Sequence, residues 1–556
     1  MDGKHALNPG KIRVHPYALA GLVPAGFFLV FYFYPLSGIF WKSFFSDPTP
    51  WLTTLDRVFS SPRTMRIIWF TFWQAGVSTL LTLIFAFPCA FVLATYSFRG
   101  KRFLTTIASI PFVLPAIVVA AAFQALLGNQ SLIFGLRINH PLVLIFLAHL
   151  FYNFSVMLRI ISGFWTCLET RIKEAAGVLG ASPRQVFIHV TLPLLKPAIL
   201  AACTLVFIFC FSSFGIILIL GGPSYSTIEA EIYRQAAHLF NLPAASLLSL
   251  VQILFTFGLM RAYTSLTRKA AQFSPEPNPA RLRTARKPWE KLAVASVWSF
   301  VLGLCALPLL ALVKESLVYK GKFSIIFYRA LFENLSDSVF YIPPVHAVKF
   351  SLIFACTALI IAVLTGICAA LFIRYCDRNL KGKWASFMDP IFMLPLSTSA
   401  VTLGFGIVIT LDKPPLNLRT SIFLVPIAHA LVGFPFVLRA VVPALRSVPE
   451  NLHDAASLLG ASPLRILREI DLPLISRSLA AGAIFSFTMS LGEFGATIFT
   501  ARPGTPTIPV AIYRFLGQPG AMNYGQAMAM SSLLMGVTAL GFIFIDRLRK
   551  NTREDF

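Results

Sequence analysis

Few side chains in this sequence have the types and spacing that chemistry requires, and the most unusual is one carboxylate. Glu493 lies inside a long apolar stretch, and its counterpart is the neutral Ser213 when the chain is aligned on itself with a shift of 280 residues. A carboxylate in apolar surroundings is costly and often functional. A hydroxyl or backbone donor can also make it purely structural. We therefore predict a functional role for Glu493 together with Ser213, with a structural role as the alternative.

Histidine and cysteine residues give no sign of a catalytic or metal site. His149 and His429 occupy equivalent positions in two other apolar stretches, where hydrogen-bonded packing is the favoured interpretation. The eight cysteines show no CxxC or Cys/His spacing, which predicts neither a disulfide framework nor a metal centre. No nucleophile, base and acid converge. The sequence predicts no catalytic residue.

The composition excludes a water-soluble protein. Of the 556 residues, 56% are apolar and 13% are charged, against about 25% charged residues in soluble domains. Crossing a bilayer takes about 20 mostly apolar residues, and twelve stretches qualify. They predict an all-α polytopic membrane protein with about twelve spans, numbered 1 to 12 in chain order: 18–41, 67–95, 106–128, 141–163, 197–220, 241–266, 292–314, 346–375, 386–411, 420–446, 478–500 and 525–548.

The net charge of +24 reflects membrane topology and predicts no nucleic-acid partner. With both termini in the cytoplasm, 32 of the 47 Lys and Arg residues fall on the cytoplasmic side and 15 on the opposite side. Cytoplasmic loops of membrane proteins carry this excess, so the count predicts the orientation. The basic flanks also suit anionic lipid headgroups.

The chain is an internal duplication. The same shift of 280 residues aligns His149 with His429 and Phe214-Gly215 with Phe494-Gly495. Six spans in each repeat predict two halves that enter the membrane in the same direction, with a pathway between them. The predicted parts are half one (1–266), a basic, Pro-rich cytoplasmic linker (267–291) and half two (292–556). The predicted pathway residues are Ser213, Phe214, Gly215, Glu493, Phe494 and Gly495, although close helix packing is an equal alternative for the Phe-Gly pairs.

The best-matched segments of the two halves lie in cytoplasmic loops. EAAGVLGASPRQVFIHVTLP (174–193) and DAASLLGASPLRILREIDLP (454–473) agree at 9 of 20 positions. Each predicts a short helix that ends in a left-handed turn at Gly180 or Gly460. Ser182-Pro183 and Ser462-Pro463 then begin a second short helix, which Pro193 and Pro473 are predicted to interrupt. Each pair of short helices joined at a glycine would form a compact projection from its loop. Two equivalent projections predict a partner with two equivalent binding surfaces.

These segments resemble the EAA signature of permease subunits of bacterial binding-protein-dependent ABC importers. The resemblance covers nearly the whole chain and implies the type I importer permease fold in the bacterial inner membrane. It implies coupling loops at about 168–195 and 448–475 that dock on two separate ATP-binding cassette subunits, and an extracytoplasmic solute-binding protein. The matching residues are Glu174, Ala175, Ala176, Gly180 and Pro193 in half one and Asp454, Ala455, Ala456, Gly460 and Pro473 in half two.

The sequence lacks a GxxxxGK[ST] phosphate loop, so we expect no cofactor in this chain and ATP bound by its partners. The fused form looks most like permeases for ferric iron and thiamine. An ion-coupled secondary transporter with six-plus-six parallel repeats is the alternative, and a membrane enzyme a distant third. Ser226 and Glu229 stand at capping-box spacing in a segment that we expect at the outer cap or the pathway mouth.

Overall fold

The computed structural model describes residues 16–554, except 46–50, 129–139, 169, 223, 273–281, 334–342, 380–387, 389 and 413–415. In this part of the chain, ten helices are long and apolar enough to cross a membrane. They confirm an all-α membrane protein. They are Tyr17–Phe45 (span 1), Pro62–Thr95 (2), Pro141–Cys167 (4), Pro183–Phe211 (5), Leu242–Thr267 (6), Pro288–Leu317 (7), Val345–Arg378 (8), Leu424–Arg446 (10), Pro463–Gly492 (11) and Ala521–Ile545 (12).

Spans 3 and 9, predicted at 106–128 and 386–411, are each a pair of helices that meet at nearly a right angle. Lys101–Val113 meets Ala116–Leu127 at 106°, and Pro390–Leu396 meets Ala400–Thr410 at 96°. The first break contains Pro115, whose ring nitrogen cannot donate to a preceding carbonyl. At the second break, the Val401 backbone N–H donates to Ser399 Oγ at 3.2 Å, which caps the new helix.

Spans 5 and 11 end earlier than the predicted limits of 220 and 500. Their helices stop at Phe211 and Gly492, and the chain resumes in the short helices Gly215–Leu220 and Thr497–Thr500. Apolar residues continue across both interruptions, so hydropathy alone does not reveal them. Two further short helices follow on the same side, Ile228–Tyr233 in half one and Ile508–Leu516 in half two.

The first span of each half packs against the other half. In span 1, the Phe28 ring lies 4.9 Å from that of Phe434 in span 10, and Tyr32 Oη hydrogen-bonds Thr398 Oγ1 at 2.6 Å. In span 7, the Phe300 ring stacks on Phe85 of span 2 at 5.2 Å, with only 5° between the ring planes. Each half is therefore completed by a helix from the other.

The strands are short, and one pair anchors the end of the linker. Tyr96–Ser97, after span 2, pairs in parallel with Arg283–Thr284, just before span 7. The helix of span 6 continues to Gln272, while 273–281 lie outside the described residues. A hairpin joins Val318–Tyr319 to Lys322–Phe323 after span 7.

Candidate functional site

The first coupling loop contains the predicted helix, left-handed glycine and serine cap. The helix Thr170–Val178 ends in a Schellman motif, in which the Ala181 N–H donates to the Ala176 carbonyl at 3.0 Å. Gly180 has φ +85°, a conformation that costs a residue with a Cβ. Ser182 and Gln185 then form a complete capping box. The predicted local geometry is confirmed.

The second coupling loop repeats this arrangement. The helix Glu450–Leu458 ends with the Ala461 N–H donating to the Ala456 carbonyl at 3.0 Å, and Gly460 has φ +79°. Ser462 Oγ accepts a hydrogen bond from the Arg465 N–H. The two loops therefore share one turn geometry.

The helix after each serine is not short, and neither Pro193 nor Pro473 interrupts it. It continues from Pro183 to Phe211 in half one and from Pro463 to Gly492 in half two. One π-helical turn precedes each Leu-Pro pair, Phe187–Thr191 in the first loop and Leu467–Asp471 in the second. Because a π turn shifts the hydrogen-bond register, it accommodates the missing proline N–H. The coupling loops are thus rigidly continuous with spans 5 and 11.

Each coupling loop carries two strongly exposed apolar side chains directly before its glycine. Val178 and Leu179 are 88% and 87% exposed, and Leu458 and Leu459 are both 89% exposed. The motif residues Glu174, Ala175, Asp454 and Ala455 are also exposed. Apolar side chains presented this way on a polar loop are typical of a protein contact. The sequence alone could have indicated these exposed apolar pairs, because both stand immediately before Gly in otherwise polar segments.

The second loop is also held by ion pairs that the sequence analysis missed. The buried Asp471 Oδ1 accepts hydrogen bonds from Arg374 Nη1 at 3.0 Å and from His453 Nε2 at 2.9 Å. Arg378 Nη2 lies 2.7 Å from Asp454 Oδ1. Both arginines belong to span 8, so this span is fastened to the second coupling loop. Comparing the halves position by position gives the signal, because Arg374, Arg378 and Asp471 have no charged counterparts in half one.

The two halves meet in an aromatic cluster, formed by Phe214, Tyr233, Phe494, Phe499 and Tyr513. Phe214 and Phe494, which are repeat equivalents, stack with ring centroids 5.3 Å apart. Tyr233 contacts Phe214 of its own half at 5.7 Å and Phe499 of the other half at 5.6 Å. Tyr513 packs on Phe494 at 5.5 Å. Both phenylalanines are buried, so this cluster closes the interface between the halves.

Gly215 and Gly495 permit the breaks to approach spans 3 and 9 closely. A Cβ on Gly215 would lie 3.4 Å from Ala116 Cβ and 3.5 Å from Phe494 Cδ1. A Cβ on Gly495 would lie 3.1 Å from both Cγ2 and the backbone nitrogen of Val401. Each glycine therefore packs against the first turn after a bend in span 3 or span 9. The structure supports close packing for both residues.

Ser213 and Glu493 are engaged by groups of their own halves. His149 bridges Ser78 Oγ and Ser213 Oγ, each at 2.9 Å. The Glu493 carboxylate accepts hydrogen bonds from the Ala496 and Thr497 N–H groups, both at 2.9 Å, and so caps the helix Thr497–Thr500. The histidines are thus hydrogen-bonded, as predicted, and the pathway role of Ser213 and Glu493 stays a prediction.

In half two, the equivalent histidine His429 also bridges two side-chain hydroxyl groups. Its Nδ1 lies 2.8 Å from Ser490 Oγ, and its Nε2 lies 2.7 Å from Thr497 Oγ1 and 3.5 Å from Glu493 Oε2. Each histidine therefore joins the span before the coupling loop to the break after it. Within the described residues, no cluster of three or more His, Cys, Asp and Glu side chains can hold a metal ion.

Two segments of the chain match one protein family, described as the inner membrane component of binding-protein-dependent transport systems. The matches cover residues 83–272 and 348–554, one in each half. The chain belongs to this family. It is therefore a membrane transport permease of the type I ABC importer fold and not an enzyme. Its family works with an ATPase and a solute-binding protein.

Relatives of this chain match either most of it or about one third of it. The chain is 26% identical to a thiamine transport system permease protein of Brucella abortus over 88% of this chain and 89% of the relative. A thiamine transport system permease protein of Haemophilus influenzae is 25% identical over 97% of both chains. A 2-aminoethylphosphonate transport system permease protein of Salmonella paratyphi A is 29% identical, over 35% of this chain and 74% of the relative.

Proposed function

We propose that this permease imports thiamine, driven by ATP that two separate ATP-binding subunits hydrolyse. Relatives with thiamine permease names match 88% and 97% of the chain, whereas the phosphonate permease matches 35% of it. This difference favours thiamine over the other solutes, including the ferric iron that the sequence alone left open. A solute-binding protein outside the membrane would deliver thiamine to the interface between the halves.

The exposed apolar pairs of the coupling loops carry the proposal of two ATPase contacts. Val178-Leu179 and Leu458-Leu459 occupy equivalent places in two loops of the same geometry. Equivalent surfaces suit two identical subunits. Because spans 5 and 11 are continuous with the loops, movement of each subunit would reach the breaks beside the aromatic cluster. The cluster would open and close in an alternating-access cycle, with both termini and both loops in the cytoplasm.

The test is thiamine uptake into proteoliposomes that contain this permease with its ATPase, loaded with ATP and supplied with the solute-binding protein. We expect uptake that requires ATP and persists when ion gradients are collapsed. Uptake driven by an ion gradient without ATP would instead establish the secondary-transporter alternative. Uptake of another solute but not of thiamine would refute the solute and leave the importer class intact.

Docking is tested separately by co-purification of the ATPase. Changing Leu458 and Leu459 to serine, together with Val178 and Leu179, should abolish co-purification while the permease still accumulates. Phe323→Ser is the matched control, because Phe323 is a 77% exposed apolar residue in the hairpin after span 7, on the side we expect to face outward. Equal ATPase capture by the quadruple variant and the control would refute the docking surface.

A further inference from the structure

Glu229 is a carboxylate at the interface between the halves whose hydrogen-bond partners carry no charge. It lies in the helix Ile228–Tyr233 and is only 2% exposed. Gln252 Nε2 of span 6 donates to its Oε1 at 3.2 Å, and the Glu229 helix also contacts the helix Ala400–Thr410 of half two, which Ser399 caps. The N-cap of this helix is Thr227, so the predicted Ser226 capping box is absent and Glu229 is available for other contacts.

Two helices that contact the Glu229 helix, Leu242–Gln272 and Ala400–Thr410, carry buried oxygen atoms with unused hydrogen-bonding capacity. Gln252 Oε1, Thr256 Oγ1 and Thr402 Oγ1 have no hydrogen-bond partner among the described residues. Thr256 lies one turn after Gln252 in span 6, and Thr402 lies one turn after Ser399 in span 9. Buried polar atoms normally have partners, so unpartnered oxygens on two helices that contact the Glu229 helix point to a ligand with positive charge or donors.

The other buried carboxylates near this interface are already satisfied. Glu231 forms an ion pair with Arg234, whose Nε lies 2.8 Å from Glu231 Oε2, and Arg63 lies 3.6 Å from the same oxygen. Glu493 caps a helix of its own half. Among the ion pairs of the described residues, none includes Glu229. A buried carboxylate without a counter-ion is unfavourable, and an arriving cation would supply one.

We propose that Glu229, Gln252 and Ser399 form the subsite that receives the cationic group of the solute at the outer entrance between the halves. This inference rests on the proposed import of thiamine, whose thiazolium ring carries a permanent positive charge. Residues from both halves form the subsite, so separation of the halves would open it. Tyr233 lies one turn after Glu229 on the same helix and belongs to the aromatic cluster. An aromatic face there adds attraction for a cation.

The subsite occurs once in the chain, although the fold is duplicated. The repeat equivalents of Glu229, Gln252 and Thr256 are Pro509, Ser532 and Gly536. None of these can provide a carboxylate. One organic cation per permease is therefore expected at this entrance.

The test compares Glu229→Gln with Glu229→Asp in the same proteoliposomes, measuring thiamine uptake and receptor-stimulated ATP hydrolysis together. Removing one member of a buried charge pair should lower uptake at least about tenfold in Glu229→Gln. ATP hydrolysis should stay within about twofold of the original, because receptor docking and the coupling loops are intact. Glu229→Asp, which keeps the charge, should retain clearly more uptake than Glu229→Gln.

Three outcomes would overturn the subsite. They are original uptake in Glu229→Gln, equal uptake in the Gln and Asp variants, and a parallel fall of uptake, ATP hydrolysis and thermal midpoint in both variants. The original permease in the same vesicles is the control for the proposed function. If the proposed function is wrong, the original permease imports no thiamine. If only the subsite is wrong, the original permease imports thiamine and one of these three outcomes is found.

Discussion

Arg374 of span 8 and the buried Asp471 of the second coupling loop form an ion pair at 3.0 Å that half one cannot form. The repeat equivalents are Ala94 and Thr191. In half one, Phe187 of the first coupling loop stacks instead on Trp165 of span 4, with ring centroids 6.2 Å apart. One coupling loop is thus fastened by charge and the other by aromatic packing, so equivalent changes should affect them differently.

Arg374→Gln should destabilise the permease by about 3–5 kcal/mol, because it leaves the Asp471 carboxylate buried without its charge partner. Arg378→Gln is the matched control, since the Arg378–Asp454 pair is exposed and is worth about 0–1 kcal/mol. Thermal unfolding in detergent measures both. The double variant Arg374→Ala, Asp471→Thr, which copies half one, should recover most of the loss. Equal stability of the two single variants would contradict this account.

Gly180→Ala and Gly460→Ala together should uncouple transport from ATP hydrolysis. A Cβ at each glycine meets no atom within 4 Å, but the positive φ angles cost about 1–2 kcal/mol per residue. Gly177→Ala is the control, because Gly177 also has open space and lies in the helix Thr170–Val178. Uptake and ATP hydrolysis in proteoliposomes distinguish the variants. Normal coupling in the double variant would show that the turn geometry is dispensable, as would normal uptake after replacement of both glycines by leucine.

The orientation predicts which positions an impermeant thiol reagent can reach. In a cysteine-free background, Ser182→Cys, Pro275→Cys and Ser462→Cys should resist labelling from outside intact cells, while Lys320→Cys in the hairpin after span 7 should react. Position 275 lies outside the described residues and tests the linker by itself. The opposite labelling pattern would place both coupling loops outside.

Glu493→Gln should lower stability more than it lowers the affinity for solute. The carboxylate uses both oxygens to accept hydrogen bonds from backbone N–H groups, and an amide can supply only one acceptor. Loss of the cap should cost about 1 kcal/mol or more, measured as a lower thermal midpoint. A strong fall in uptake with no change in thermal midpoint would favour the pathway role predicted for Glu493.

The pH dependence of stability should differ between the original permease and Glu229→Gln. Burial raises the pKa of the Glu229 carboxyl from 4.5 to about 8, partly offset by the Ser399 hydroxyl. The folded state therefore favours the protonated carboxyl, and that stabilisation is lost as the pH rises from about 5 through 8. Thermal midpoints across this range should fall more for the original protein. Parallel curves would show that Glu229 is ionised throughout.

The sequence predicted the parts that depend on local pattern. The left-handed turns at Gly180 and Gly460 follow from residue preferences, and the spans follow from apolar length. Breaks were missed where apolar residues continue through them, as at Phe211–Gly215. The sequence shows that Phe214 and Phe494 are repeat equivalents. It does not show that their rings are in contact. Pairs such as Arg374 and Asp471 need the three-dimensional arrangement of distant segments.

The packing of spans 1 and 7, each against the other half, has a consequence for biosynthesis. Span 1 leaves the ribosome before spans 8 to 10, against which Phe28 and Tyr32 finally pack, have been translated. Half one therefore cannot complete its packing during its own translation. The groove beside Phe85 and Phe154 is filled only when Phe300 of span 7 has been made. The finished halves are interlocked, so cutting the linker after assembly would not release them.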